Sequence, residues 1–268
     1  MTLSQTQIDA AAEDLFQAER DRTQIGLLSK RFEGLDMDGA YAIQDALVAR
    51  KLADGRHITG WKIGLTSKAM QSALGIDVPD SGVLFDDMHF ESGDTVPAGR
   101  FIQPRIEAEI AFIMKSDISG TDVTAEDIIA ATECVAPAIE ILDTRIVRAD
   151  SENGQTRKVF DTIADNAANA GIVLGQERHA YGNHDLRWVG AIVARDGEVE
   201  ETGLGAGVLD DPVTSMVWLA QRLGQYGQSI KAGQVVLSGS FIRPVECPSG
   251  TRIAADFGTF GRVDLAFE

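Results

Sequence analysis

Between Arg105 and Met114 the chain reads RIEAEIAFIM, and further on it reads CVAPAIEILDT. These two runs constrain the fold more than anything else in the sequence. In an extended strand side chains alternate between faces. Ile106, Ala108, Ile110, Phe112 and Met114 then make one apolar face, while Glu107 and Glu109 share the other, which continues as Ala111 and Ile113. Two carboxylates side by side on a strand repel unless water or a cation separates them. Taken alone, the pair reads as a solvated strand edge. Glu140 alters that reading. It is the only charge between Val135 and Leu142, in a run that otherwise reads as core. A carboxylate in such a place must be paired, protonated or bound to a metal.

Three glutamates with no cysteine or histidine beside them are hard oxygen ligands, suited to Mg²⁺ or Mn²⁺ rather than zinc. If Glu140 meets Glu107 and Glu109 in space, a metal site is the better reading of all three. Lys62 is the next candidate. In ITGWKIGLT its face carries Ile58, Gly60, Gly64 and Thr66, while Trp61, Ile63 and Leu65 face the other way. Glycines on either side leave a hollow around the ammonium. The plainer alternative is a surface lysine on an edge strand.

The rest of the chain points to an α+β fold. Ser4 with Gln7 makes a capping box before Ile8, Ala11, Leu15 and Ala18 at helical spacing, and a second helix is expected over residues 38–52 with Gly55 as its stop. Thr66 is expected to cap a short helix reaching Leu74 and ending at Gly75. Thr124 opens TAEDIIAATE, and Asp211 followed by Pro212 opens VTSMVWLAQRL. QVVLSGSF, RIAADF and RVDLAFE alternate as strands. Strands and helices do not follow a regular βαβ rhythm, so a doubly wound sheet is not expected. The expectation is a helical N-terminal region, residues 1–57, beside a curved, mixed β core, residues 58–268.

With 24 Lys and Arg against 41 Asp and Glu, the net charge is −17. Such a surface repels nucleic-acid phosphates and anionic lipid. No apolar run approaches a bilayer span, and the acidic, helical opening MTLSQTQIDAAAEDLF does not read as a signal peptide, so a cytoplasmic protein is expected. Cys134 and Cys247 have no CxxC spacing and read as buried thiols. GLGAG at 203–207 lacks dinucleotide-binding spacing and reads as a loop; no P-loop or GxSxG elbow is present. His57, His89, His179 and His184 have no metalloprotease spacing. RIVRAD and TRKVF are basic clusters in an acidic chain, either solvated loops or anion-recognition sites.

Taken in order, GWKIGLTSKAM, PDSGVLFDDM, QPRIEAEIAF, VAPAIEILDTR, FDTIADNAANAG and LSGSFIRPV closely resemble the 2-oxo-hept-4-ene-1,7-dioate hydratases of homoprotocatechuate breakdown. These lie in the hydratase and decarboxylase branch of the fumarylacetoacetate hydrolase-like proteins. The match runs from about Ala40 to the C-terminus. The resemblance implies curved β-sheets around a metal pocket, a closed homo-oligomer of many subunits, and a small-molecule 2-oxo acid or diacid as substrate. It implies Mg²⁺, with Mn²⁺ as an option, on Glu107, Glu109 and Glu140, the trio already selected from the residues. It places Lys62 and Asp80 beside the substrate, where Asp80 moves protons; read without the resemblance, Asp80 is a turn residue of VPDSG. Leu65, Lys158, Ser240 and Arg243 are the candidate substrate contacts, with the basic residues facing a far carboxylate. Trp61 departs from the pattern, which leads one to expect a smaller or more polar residue, but by alternation it faces away from Lys62.

The implied reaction is Mg²⁺-dependent addition of water to a 2-hydroxy-2,4-dienoate or its 2-oxo form, 2-oxohept-4-ene-1,7-dioate giving 4-hydroxy-2-oxoheptane-1,7-dioate. Decarboxylation of a 2-oxo-3-enedioate and hydration of the monoacid 2-hydroxypenta-2,4-dienoate are the alternatives within the family. A carbon–carbon bond hydrolase needs a His–Glu pair, and His89 with Glu91 is the nearest approach to one. An inert metal-binding scaffold is the alternative from outside enzymes.

Overall fold

The computed structural model describes residues 3–68, 71–72, 76 and 78–268. Ala69, Met70, Ala73, Leu74 and Gly75, from the helix expected between Thr66 and Gly75, lie outside them. The N-terminal region forms α1 (Gln5–Asp21), α2 (Leu28–Arg31) and α3 (Met37–Ala53). The capping box of Ser4 and Gln7 is present, and Asp36 caps α3 by accepting from Gly39 N at 2.9 Å. Gly55 ends the helical region with a positive φ of 94°, which only a glycine adopts freely.

Strands then follow: β1 (Ile58–Gly64), β2 (Asp80–Phe85), β3 (His89–Glu91), β4 (Thr95–Val96) and β5 (Arg105–Met114). After α4 (Ala125–Ala131) come β6 (Thr132–Leu142), α5 (Val159–Ala164) and β7 (Asn169–Leu174). The remainder is β8 (Gly190–Arg195), β9 (Glu198–Leu204), α6 (Pro212–Gln225), β10 (Val235–Ser240), β11 (Val245–Glu246), β12 (Arg252–Asp256) and β13 (Arg262–Phe267). Thr124 and Asp211 cap α4 and α6 as their sequences predict.

These strands make two mixed sheets. One has eight strands in the order β2-β1-β10-β5-β6-β7-β3, with β11 also pairing to β5; the other runs β4-β13-β12-β8-β9. β1 pairs with β10, and β3 with β7, in parallel, while β5 is antiparallel to β10 and β6. The α+β expectation and the mixed β core are what the chain forms. β5 therefore lies inside its sheet, and the glutamates are not on an edge. β1 is likewise flanked on both sides, by β2 and β10, so Lys62 is not an edge lysine.

The main apolar core lies around these sheets, with Ile106, Ile110, Phe112, Ile139 and Leu237 all fully buried. The N-terminal helices pack a second core in which Leu15, Ile43 and Leu47 meet Ile146 and, from α5, Ile163. No helix among the described residues is long and apolar enough to cross a membrane. Cys134 and Cys247 are free thiols. β8 and β9 carry no clear alternation in the sequence, because Ile192, Val199 and Leu204 are apolar yet exposed.

Candidate active site

The register between β5 and β6 sets Glu107 directly opposite Glu140, with Glu109 one step along the same face opposite Ala138. One carboxylate oxygen from each of the three lies within 4.8 Å of the others. Glu109 and Glu140 have no solvent exposure, and Glu107 keeps a little. The β5–β10 pairing slips between Leu237 and Ser240, and Gly239 sits in that irregularity with φ of 118°. A bulge re-aims the backbone. Here it turns Gly239 N toward Glu109, to whose Oε2 it donates at 2.7 Å. A side chain at 239 would meet Thr66 Oγ1 at 2.5 Å, so glycine is required twice over.

Lys62 is 3% exposed, and its Nζ lies 3.3 Å from Glu140 Oε1. Pairing of Gly64 with Asp80 brings the aspartate to the same place. A Cβ on Gly64 would stand 2.2 Å from Asp80 Oδ1 and 3.1 Å from Lys62 Nζ, so the two charged groups occupy the space that Gly64 leaves open. Tyr41 Oη accepts from Ser81 N at 3.1 Å and so steadies β2 next to Asp80.

The electrostatics follow from burial. Desolvation pushes the Glu107 carboxyl up to about 8, with repulsion from Glu140 adding to it. Desolvation likewise raises Glu109 well above the carboxylate range and raises Glu140, where Lys62 opposes it. Asp80 is also raised by burial, against the pull of Lys62 and of Gly64 N–H. For Lys62 burial favours the neutral amine, but Glu140, Asp80, Glu107 and Glu109 together outweigh it and raise the pKa. The cluster thus holds protons or needs a cation. Among the described residues Glu109 Oε1 and both oxygens of Glu140 are buried without a hydrogen bond, Glu140 Oε1 having only the Lys62 ammonium at 3.3 Å. Buried carboxylate oxygens are rarely left so. Three convergent oxygen donors, two of them from glutamates with unsatisfied oxygens and with no nitrogen or sulfur among them, fit a hard divalent cation such as Mg²⁺.

Glu107 opens into a cavity of about 430 Å³, whose wall includes Gly64, Leu65, Arg105, Arg157, Ser240 and Arg243. A larger cavity of about 600 Å³ lies near Val96, Arg100 and Glu246 and includes none of the three glutamates, so its size does not make it the chemical site. Leu65 does not continue the alternation of β1. The strand ends at Gly64 and Leu65 adopts φ of 56°, which brings it into the cavity wall. Ser240 Oγ donates to Ile242 O at 2.9 Å, and Arg243 is held by Glu201 at 2.7 Å.

Lys158 requires a correction. It is exposed at the N-cap of α5 and does not line the cavity; its neighbour Arg157 does. The basic cluster RIVRAD is also not free for an anion. Arg145 is 1% exposed, and its guanidinium is spent on Asp165 Oδ1 at 2.5 Å, Asp165 O at 2.6 Å and the carbonyls of Asp143 and Asn169. Asp161, from the same motif-rich stretch, accepts from Ser29 N and Oγ at 2.7 Å and ties α5 to α2. Much of FDTIADNAANAG therefore serves architecture. Sequence reasoning missed Arg105 and Arg157. Arg105 was legible, since it shares the face of Glu107 two residues away; Arg157 lies in the basic TRKVF cluster that the sequence marked, but Lys158 was the residue chosen from it.

No protein-family model matches the chain. It is 45% identical over 256 residues to the 2-oxo-hept-4-ene-1,7-dioate hydratase of Escherichia coli, covering 96% of each chain. It is 37% identical over 262 residues to the 2-keto-4-pentenoate hydratase of Paraburkholderia xenovorans (strain LB400), covering 98% of this chain and 95% of that one. Among solved structures, the 4-oxalocrotonate decarboxylase from Pseudomonas putida G7, complexed with magnesium and adipate, superposes with a TM-score of 0.93 at 32% identity, covering 100% of this chain and 99% of the other.

Proposed function

Because this chain belongs to the hydratase and decarboxylase branch of the fumarylacetoacetate hydrolase-like proteins, we propose that it is a Mg²⁺-dependent hydratase of aromatic-compound catabolism, converting 2-oxohept-4-ene-1,7-dioate to 4-hydroxy-2-oxoheptane-1,7-dioate. The observation that carries this reading is the cluster of Glu107, Glu109 and Glu140 with unpartnered oxygens beside a buried Lys62. The three glutamates would hold the cation, with Mn²⁺ as a substitute. Bound there, a divalent cation supplies Lewis-acid stabilisation of negative charge on the C2 oxygen of a 2-oxo acid.

The chain's own groups do the rest. Lys62 is a fixed, desolvated positive charge, worth far more there than in water for an oxyanion or the C1 carboxylate. Asp80, whose carboxyl burial raises against the pull of Lys62 and of Gly64 N–H, suits acid–base transfer. Starting from the 2-hydroxy-2,4-dienoate, it relays the proton lost by the C2 hydroxyl to C5 as the conjugated 2-oxo-3-enoate forms. Water then adds its oxygen at C4 and a proton at C3. Leu65, Ser240 and Arg243 line the substrate's space. The protein acts in the cytoplasm as a homo-oligomer of many subunits.

The second reading is decarboxylation of a 2-oxo-3-enedioate, which the likeness to the decarboxylase structure supports. Product analysis separates the two. Incubated with Mg²⁺, 2-hydroxyhepta-2,4-dienedioate should gain one water and release no CO₂, and 4-oxalocrotonate should not be consumed. Release of CO₂ from 4-oxalocrotonate, without hydration of the dienedioate, establishes the decarboxylase; inertness toward both defeats the reading altogether.

A further inference from the structure

The cavity beside Glu107 contains two guanidinium groups that the proposed chemistry does not use. Arg105 lies on β5, on the face of Glu107 and Glu109, and its Nε is buried with no hydrogen-bond partner. Arg157 stands in the same wall, and its side chain donates to the Thr144 hydroxyl. Among the described residues neither forms an ion pair, whereas the other arginines around them do: Arg145 with Asp165, Arg148 with Glu246, Arg243 with Glu201. The carboxylates near Arg105 and Arg157 are all committed elsewhere. Asp165 is taken by Arg145, and Asp143 accepts from Ile102 N and Gln103 N at 2.8 Å each. Asp161 accepts from Ser29, Glu246 belongs to Arg148, and Glu107 belongs to the cation cluster.

In a chain with a net charge of −17, two neighbouring cations left without partners in a partly buried wall are an anomaly. Like charges held close and short of counter-charge are unfavourable, and an arriving anion relieves that cost. We propose that Arg105 and Arg157 form the receiving site for a second, remote carboxylate of the substrate, so that the chain selects 2-oxo diacids over 2-oxo monoacids. This rests on the reading of the glutamate cluster as the seat of the 2-oxo acid head. A guanidinium presents a rigid fork of donors that a carboxylate meets with two parallel bonds, which an ammonium cannot reproduce.

Arg105 precedes Glu107 by two residues on the same face of β5, and both stand in the wall of one cavity with Arg157. A shorter monoacid has nothing to offer the pair. The other basic candidates are less suited: Lys158 is exposed outside the cavity, and the Arg243 side chain is 81% exposed and already held by Glu201.

Calorimetry on the full chain with Mg²⁺ tests this, using 2-oxoheptanedioate and 2-oxoheptanoate as unreactive probes. Wild type should bind the diacid tighter by about tenfold to a hundredfold, as charged hydrogen bonds of this kind are worth. In Arg105→Met and in Arg157→Met that ratio should fall at least about fivefold. If either variant fails to fold, Arg105→Lys or Arg157→Lys keeps the charge without the fork and should still lower the ratio by about threefold or more. Equal affinity of wild type for the two acids, or a ratio that none of the variants changes, overturns the proposal while leaving hydration intact. A preserved diacid preference without water addition to the dienedioate leaves the arginine pair standing and removes the hydratase. Binding of neither acid overturns both.

Discussion

Glu109→Gln separates a metal site from a structural glutamate more cleanly than any other change in the cluster. Glutamine keeps the shape and can still accept from Gly239 N, which donates to Glu109 Oε2 at 2.7 Å. Glu140 is less suitable, because it also pairs with Lys62 at 3.3 Å and its loss strips a buried ammonium of a partner. With donor oxygens within 4.8 Å, each ionised glutamate pair repels by about 3.5 kcal/mol at an effective dielectric near 20. Protonation relieves this at low pH, which is why burial and repulsion hold the carboxyls up. In EDTA at pH 9 the variant should therefore melt at or above wild type. Saturating Mg²⁺, at about a hundred times Kd, should add ~2.7 kcal/mol to wild type, a rise of about 5–10 °C, and little or nothing to the variant. Scanning calorimetry with and without the metal reads both effects. The reasoning is refuted if Glu109→Gln melts far below wild type in EDTA and Mg²⁺ moves neither curve, since a satisfied structural carboxylate behaves in that way.

The same cluster predicts a pH dependence. Glu107 has a folded pKa raised from 4.5 to about 8, so its contribution to stability is full below about 4.5 and is lost as pH rises through about 8. Metal-free protein should melt progressively lower from pH 5 to pH 8.5, and saturating Mg²⁺ should flatten the slope; a metal-free midpoint that rises over that window contradicts the assignment. Lys62→Met should cut kcat/KM by at least about a hundredfold if the ammonium stabilises charge in the transition state, while Mg²⁺ still raises the midpoint. Retention of half the activity would make Lys62 a structural residue. Gly64→Ala places a methyl group 2.2 Å from Asp80 Oδ1, so the aspartate must move. That overpacking should cost about 1–3 kcal/mol of stability, with a loss of activity larger than the fall in midpoint explains. Normal turnover in Gly64→Ala would take Asp80 out of the reaction.

What the sequence by itself determined were residue types and local periods. Alternation in RIEAEIAFIM put Glu107 and Glu109 on one face, and the apolar setting of Glu140 marked it as a carboxylate in need of a partner. The caps at Ser4, Thr124 and Asp211 were legible because a cap is satisfied within a few residues. Only tertiary structure could decide that Glu140 lies opposite Glu107 rather than one residue along, since a slip of one would send it to the other face. The same holds for the bulge at Gly239, for Lys62 reaching Glu140 from two strands beyond β5, and for Arg157 rather than Lys158 entering the cavity. Arg145 and Arg157 look alike as sequence, two arginines in basic stretches of an acidic chain. One is consumed by Asp165, and the other faces a cavity with no ion-pair partner among the described residues. A long side chain takes its partner from whatever the fold brings within reach, and the pairings that set this reach join residues far apart in the chain.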